Sequence, residues 1–372
     1  MLLALYPDQN FPDARAYRTM GYQIFNGEVI SNNIYMPLYP IITYIAGSIT
    51  TQLLIDIFMS TVMVLVIYML SMTLFNNKIG ALFAAFSAAL YPHFIFYSLS
   101  GLTETSFTLL MLVSFLFFYR EKTFLAIFFL VLSVLIRPSL DLINPVLVLI
   151  FSVYIYKLGY IQSIKKVLIY FIIYIFMMSP WWMYQYDKYG QFVRLTLADG
   201  IILYSGNNPM NTTGGGVGNR NGISDVDLTK FNKILNPIER NDQMKKKAIE
   251  YIMANPVHFV EMSAVKFIRF WRLWPYTEHY QQWYIFASSL LSYGVMLALS
   301  IGFLVRNTKN HFKKLLPIFV LIAYLTLVHM ATIGSIRYRF PLEPFLIIFA
   351  SQFLFDLIRN NLLYKKIEKI FL

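Results

Sequence analysis

Apolar residues run through this chain in long blocks, separated by short polar turns rather than alternating with polar positions. A helix that crosses a bilayer takes about 20 mostly apolar residues. On that measure the pattern predicts nine spans, at 53–75, 79–98, 103–119, 123–137, 140–157, 167–185, 284–305, 315–333 and 340–358. The apolar, proline-punctuated stretch 37–50 is too short to cross and reads as an interfacial helix feeding the first span. Four regions follow: an outer first loop with interfacial helices (1–50), a six-span bundle (51–185), a hydrophilic block (186–283), and three further spans with a tail (284–372). The fold class expected is an all-α polytopic membrane protein. Within the block, 239–254 and 257–272 read as helices on either side of Asn255-Pro256. The glycine- and asparagine-rich 207–225 reads as a connector, since its three consecutive glycines lack the rest of a phosphate-binding loop.

Composition agrees with the pattern. The 372 residues are 58% hydrophobic and 13% charged, with a mean hydropathy of +0.56. No cysteine is present, which excludes disulfides, thiolate metal sites and cysteine nucleophiles. The formal charge of +12 resides in loops. Lys78; Arg120 and Lys122; Lys157, Lys165 and Lys166; Arg306, Lys309, Lys313 and Lys314; and Arg359, Lys365, Lys366 and Lys369 all fall on one side when nine spans are threaded in order. Short basic loops face the cytoplasm. The opposite short loops carry only Arg137, Arg337 and Arg339, so 1–36 and 186–283 share the outer side and the C-terminus is cytoplasmic. With no basic stripe outside this pattern, nucleic acid is not an expected partner. An outer N-terminus calls for a signal or a preceding helix. MLLALY (1–6) reads as the outer end of one that starts further upstream, the alternative being translocation without it.

Ionisable residues near lipid are costly and mark candidate sites. Asp13 (with Asp8), Glu104, Arg137, Asp141, Arg337, Arg339 and Glu343 all project to the outer boundary. Carboxylates there can serve as a general base or hold a divalent metal, and guanidinium forks match phosphate oxygens. Plainer roles stand beside these. Arg337 and Arg339 can snorkel to headgroups, Arg137 and Asp141 can pair across their turn, and Glu104 can cap a helix N-terminus. Asp56 and His93 read as buried structural partners, and the adjacent Glu278 and His279 are poorly spaced for two ligands on one helix. Prolines 138, 180, 341 and 344 sit at span ends rather than mid-membrane, against the broken helices of transporters. A multi-pass transporter or flippase of lipid-linked or small solutes is nevertheless the alternative class.

Five stretches, in order, resemble the GT-C superfamily of polyprenyl-phosphate-sugar glycosyltransferases, closest to glycosyltransferase family 39, which includes the protein mannosyltransferases and aminoarabinose transferases. They are PDARAYRTMGYQIFNGE (12–28), MPLYPIITYIAG (36–47), SLSGLTETSFTLLMLV (98–113), RPSLDLINP (137–145) with SPWWMYQYDKYGQFVRLTLADGIILYSGNNP (179–209), and IRYRFPLEPFLIIFA (336–350). The resemblance implies a GT-C-like bundle in the cell membrane with its site on the outer face. It implies transfer of a sugar, with inversion, from a polyprenyl-phosphate donor to an extracytoplasmic acceptor: a protein, lipid or cell-envelope glycan. Asp13 would be the catalytic base, with Asp8 the alternative, and Glu104 the second acid. Arg337, Arg339 and Arg137 would hold the donor phosphate, and Tyr17 and Tyr338 would touch substrate. Any divalent metal would sit on Asp13 and Glu104. Against the family pattern, Met36 stands where relatives such as the aminoarabinose transferases have a lysine, the family's first helix is expected upstream of the residues given, and the 186–283 block stands where some relatives have a large soluble periplasmic domain.

Overall fold

The computed structural model describes residues 11–30, 33–216, 225–276 and 282–359. MLLALY, Asp8, Glu278, His279 and the tail lysines 365, 366 and 369 lie outside them. Among the described residues every regular element is helical.

The chain starts with α1 (Pro12–Phe25) and α2 (Leu38–Ala46), joined by a segment that includes Tyr35. The long apolar helix α3 (Ile49–Phe75) begins where the Ser48 hydroxyl accepts from the Thr51 N–H at 3.0 Å and ends at Asn76, whose φ of 50° is left-handed. Then come α4 (Lys78–Ala89) and α5 (Pro92–Ser98), set 52° apart. Pro92 accounts for the bend, because the residue before a proline is driven out of the helical region and Tyr91 is extended. The next helices are α6 (Glu104–Tyr119), α7 (Thr123–Ile136) and α8 (Asn144–Ile155). After α9 (Tyr160–Tyr189) the hydrophilic block contributes α10 (Asp199–Gly206), α11 (Asp225–Asn232), α12 (Pro237–Ala254) and α13 (Pro256–Trp271). The last two are α14 (Trp283–Ala331) and α15 (Ile336–Arg359). The helices expected at 239–254 and 257–272 correspond to α12 and α13, with the break at Asn255-Pro256.

Among the described residues four helices, α3, α9, α14 and α15, are long and apolar enough to cross a membrane, and the bent pair α4–α5 brings the number to five when it is counted as one span. The chain is therefore a helical, multi-pass membrane protein by length and composition, but the nine expected spans are not matched in number. Three of them fall on α6, α7 and α8, which are shorter. The 16 residues of α6 rise only about 24 Å, short of the roughly 30 Å hydrocarbon layer. Of these, α6 lies inside the protein, burying Phe107, Met111, Leu112 and Phe115; α7 buries Ile127, Leu130 and Val134 but turns Phe124, Leu125 and Phe128 outward, and α8 turns Val146, Leu149 and Tyr154 outward.

The spans expected at 284–305 and 315–333 lie in the single helical stretch α14. Its contacts with α15 show that it reverses direction. Ser300 Oγ donates to the Leu346 carbonyl (2.7 Å) and Asn307 Nδ2 to Asp356 (2.8 Å), so here the two stretches climb together. Further on, Phe319 meets Phe349 and His329 stacks on Tyr338, so one climbs as the other descends. Phe303 also stacks on Phe349, at 5.1 Å between ring centres. In a straight helix, residues 303 and 319 would stand about 24 Å apart along the axis and could not share one ring.

This reversal sorts the molecule into two ends. At one end Lys314 Nζ donates to the Thr73 carbonyl (2.9 Å), the Tyr119 hydroxyl donates to the Lys314 carbonyl (2.7 Å), and Asn77 Nδ2 donates to Gln352 (3.0 Å). The basic turns after α3, α6 and within α14 thus meet. Asp13, Glu104, Arg137 and Arg337 gather at the opposite end.

The glycine-rich connector proves to be a clamp over its described part. Gly334 N–H donates to the Gly214 carbonyl at 3.0 Å. A Cβ on Gly334 would come within 2.5 Å of the Lys266 carbonyl, and one on Gly216 within 2.8 Å of Ile333. Glycine allows this backbone-to-backbone approach, and it fixes the chain just ahead of Arg337. Beneath it Lys266 is fully buried, its ammonium donating to Asn207 Oδ1 at 2.9 Å. Burial pushes Lys266 down to about 8 from its ordinary 10.5. Between those values the unfolded chain holds a proton that the folded chain does not, so stability rises with pH in that window and is independent of this group below it. Unfolding midpoints measured from pH 7 to pH 10 should show this rise in the native chain, and Lys266→Met should remove it.

Candidate functional site

Arg337 is the hub of the end opposite Lys314. It sits in the single turn Ile336–Arg339, capped by Ser335, whose hydroxyl accepts from the Arg337 N–H at 3.3 Å. Its guanidinium joins two acids distant in sequence: Nε donates to Glu104 Oε1 in a very short contact, and Nη1 donates to Asp13 Oδ2 at 2.6 Å. Glu104 opens α6, where the helix dipole favours an acid. The same Oε1 accepts from Arg137 Nη1 at 2.6 Å. Arg137 ends α7, extended ahead of Pro138, so the α6–α7 hairpin presents its first acid and its last base side by side.

Asp13 lies in the first turn of α1 behind Pro12, which starts the helix without wasting a donor. Its Oδ1 accepts from the Tyr35 hydroxyl at 2.9 Å. Burial, and after it the Asp13 carboxylate, hold the Tyr35 phenol well above the ordinary range, so it stays a donor. Tyr17, one turn along from Asp13, packs edge-on against Tyr35 and Tyr39 at 4.6 and 5.2 Å. Its hydroxyl is 3.5 Å from Thr103 Oγ1, and burial lifts it to about 12 against the opposing effect of Arg337. On the other flank the Arg137 guanidinium stands 5.6 Å from the Tyr338 ring, which stacks on His329 at 4.4 Å. His329 in turn stacks on Phe270 of α13.

Two carboxylates and two guanidiniums thus balance. Glu104 is fully buried, while Asp13 (33%) and Arg337 (27%) reach the surface. Glu104 Oε2 is buried without a hydrogen-bond partner among the described residues.

The structure therefore brings Asp13, Glu104, Arg137 and Arg337 together, with Tyr17 and Tyr338 beside them. Arg339 belongs elsewhere. Its side chain is fully buried, donating from Nε to Glu343 Oε1 (3.0 Å) and from Nη1 to the carbonyls of Phe270 (3.0 Å) and Arg272 (2.8 Å). Tyr293 lies 3.5 Å beneath its guanidinium, and Glu343 also meets His93 Nδ1 at 3.1 Å. The reason is helical: residues two apart on a turn point about 200° from each other. The expected Arg137–Asp141 pair is not formed either. Asp141 accepts from the Tyr174 hydroxyl (2.5 Å) and from Arg194, because the turn Pro138–Leu140 carries it away from Arg137. Asp56 is a buried partner, as expected, accepting from the Tyr39 hydroxyl at 2.7 Å.

A divalent ion does not fit Asp13 and Glu104 as they stand. Both turn an oxygen to Arg337, whose guanidinium takes the place a shared cation would need. No group of three potential ligands occurs among the described residues. Sequence reasoning missed Tyr35 and Arg194. Tyr35 carried a signal in standing directly before the proline segment that follows Asp13; Arg194, in an irregular stretch, carried none.

Comparison with family models, with curated proteins and with solved structures yields no match.

Glu104→Gln keeps the shape but strands two guanidiniums beside a neutral amide. Breaking a buried pair by removing one partner costs about 3–5 kcal/mol. The variant should show a markedly lower thermal midpoint in detergent, whereas Asp187→Asn, on an exposed carboxylate, should leave it unchanged.

Proposed function

We propose that this protein is a membrane glycosyltransferase that moves a sugar from a polyprenyl-phosphate carrier to an acceptor on the outer side, with inversion at the anomeric carbon. The observation that carries the reading is the Asp13–Arg337–Glu104–Arg137 network at one end of an apolar helical bundle. A partly exposed carboxylate there adjoins guanidiniums in a place that a lipid-dissolved phosphate can reach. The resemblance of the motif order to the GT-C enzymes supports the same class. The charge pattern of the loops supports a nine-span topology with the site outside and the C-terminus in the cytoplasm.

In this reading the acceptor hydroxyl attacks the anomeric carbon from the face opposite the phosphate. A carbon–oxygen bond forms to the acceptor as the bond to the phosphate oxygen breaks, and the electron pair leaves with the phosphate. Asp13 takes the hydroxyl proton. Each carboxylate oxygen has two acceptor positions, and each oxygen of Asp13 uses one, on Tyr35 and on Arg337, so a position remains for the hydroxyl. Arg337 spends two of its five N–H donors on Asp13 and Glu104. The others, with those left on Arg137, meet the charge that grows on the departing phosphate, where preorganised donors contribute most. Glu104 holds both guanidiniums in place, and Tyr17 and Tyr338 line the approaches.

Asp13→Asn should lower transfer from a radiolabelled polyprenyl-phosphate hexose by about a hundredfold or more, the scale of a lost general base, while donor binding and thermal midpoint stay near native. Unchanged transfer would refute the catalytic role. Transbilayer movement of the donor without any transfer product, insensitive to the substitution, would place the protein among the flippases instead.

A further inference from the structure

At the Lys314 end lies a cavity of about 330 Å³ that has no part in the proposed reaction, lined by Arg306, Asn307, Asn310, Asp356 and Arg359. It forms where α14 reverses past the last turns of α15. Asp356, its one acid, is already engaged: Asn307 Nδ2 donates to Oδ2 at 2.8 Å and Gln352 Nε2 donates to Oδ1 at 3.2 Å. The two arginines have no acidic partner among the described residues. Two planar cations thus face a cavity of headgroup size across a carboxylate that amides hold, and the amide of Asn310 adds further donors. This donor set suits a tetrahedral anion, because guanidinium forks pair with phosphate oxygens through parallel hydrogen bonds. The neighbouring chain is apolar and exposed: Ile301, Val305 and Leu357 stand outward beside the lining residues. A ligand that joins a phosphate to acyl chains would meet both surfaces at once, and basic pockets between membrane helices hold such headgroups.

We propose that this cavity is a phosphate-binding site, occupied in the membrane by the headgroup of an anionic phospholipid. The shared chemistry is the phosphate; lipid and soluble phosphate are separable by experiment. The purified full chain in neutral detergent is titrated with dioctanoyl phosphatidylglycerol, with dioctanoylglycerol, and with inorganic phosphate, reading the thermal midpoint. The expected result is a saturable rise with the phospholipid and none with the phosphate-free lipid. Arg306→Gln/Arg359→Gln should weaken the apparent affinity by roughly tenfold or more, as should Arg359→Gln alone to a lesser degree. Lys165→Gln/Lys166→Gln, which removes equal charge outside the cavity, should leave the titration as in the native chain. Saturation by inorganic phosphate as well as by the phospholipid, with both weakened in the arginine variants, would support the phosphate site, whereas a response to inorganic phosphate and none to the phospholipid would overturn the lipid assignment. The proposal is overturned if the phospholipid gives no saturable shift, if both arginine variants titrate like the native chain, or if the lysine variant weakens binding as much as the arginine pair does.

Discussion

A carboxylate withdrawn entirely from water at the edge of a membrane bundle must be matched by cations, and most of this molecule can be understood from how that is done. Glu104 is fully buried, a position that costs several kcal/mol for a bare charge and becomes tolerable only with well-placed partners. Two guanidiniums converge on one of its oxygens. Arg337 then carries the connection outward to Asp13, which meets solvent. The network ties together the N-terminal segment, the central α6–α7 hairpin and the turn before the last helix, all far apart in sequence.

The surrounding elements serve that convergence. The arms of the α6–α7 hairpin, 16 and 14 residues, are nearly equal in length, which puts Glu104 and Arg137 at one level. The glycines at 214 and 334 press one backbone against another just ahead of Arg337, so the turn that carries it has little freedom. The column Phe270–His329–Tyr338 runs from α13 to Arg137, giving the hydrophilic block a direct packing route to the site. Arg339 does different work nearby: with Glu343 and His93 it anchors α15 to α5 and to the end of α13.

Part of this was readable in the sequence, because apolar periodicity and loop charge follow simple solvent physics. The helical class, the helices around Asn255-Pro256 and the common outer level of Asp13, Glu104 and Arg337 came from those rules; their selection as one site is what the resemblance implies. Span number did not, because α6, α7 and α8 are shorter than a bilayer crossing requires. Threading expected two spans where one helical stretch runs from Val295 to Ala331; the contacts of Phe303 and Phe319 with one ring show that this stretch doubles back. The neighbours Arg337 and Arg339 look equivalent as letters, but a helical turn sends one to the site and the other into the core. The pairing of Arg137 with Glu104 rather than Asp141 depends on a proline turn whose direction no spacing rule specifies.

The central claim is that Glu104 and Arg337 act as one unit, and a double-mutant cycle reads this directly. Glu104→Gln and Arg337→Gln are made singly and together, and unfolding is measured for all four proteins. If the two residues hold one another, the double variant should be more stable than the sum of the single losses implies, with a coupling of about 1–3 kcal/mol. Additive losses would mean that the two side chains do not share an interaction, and the site as described would not exist.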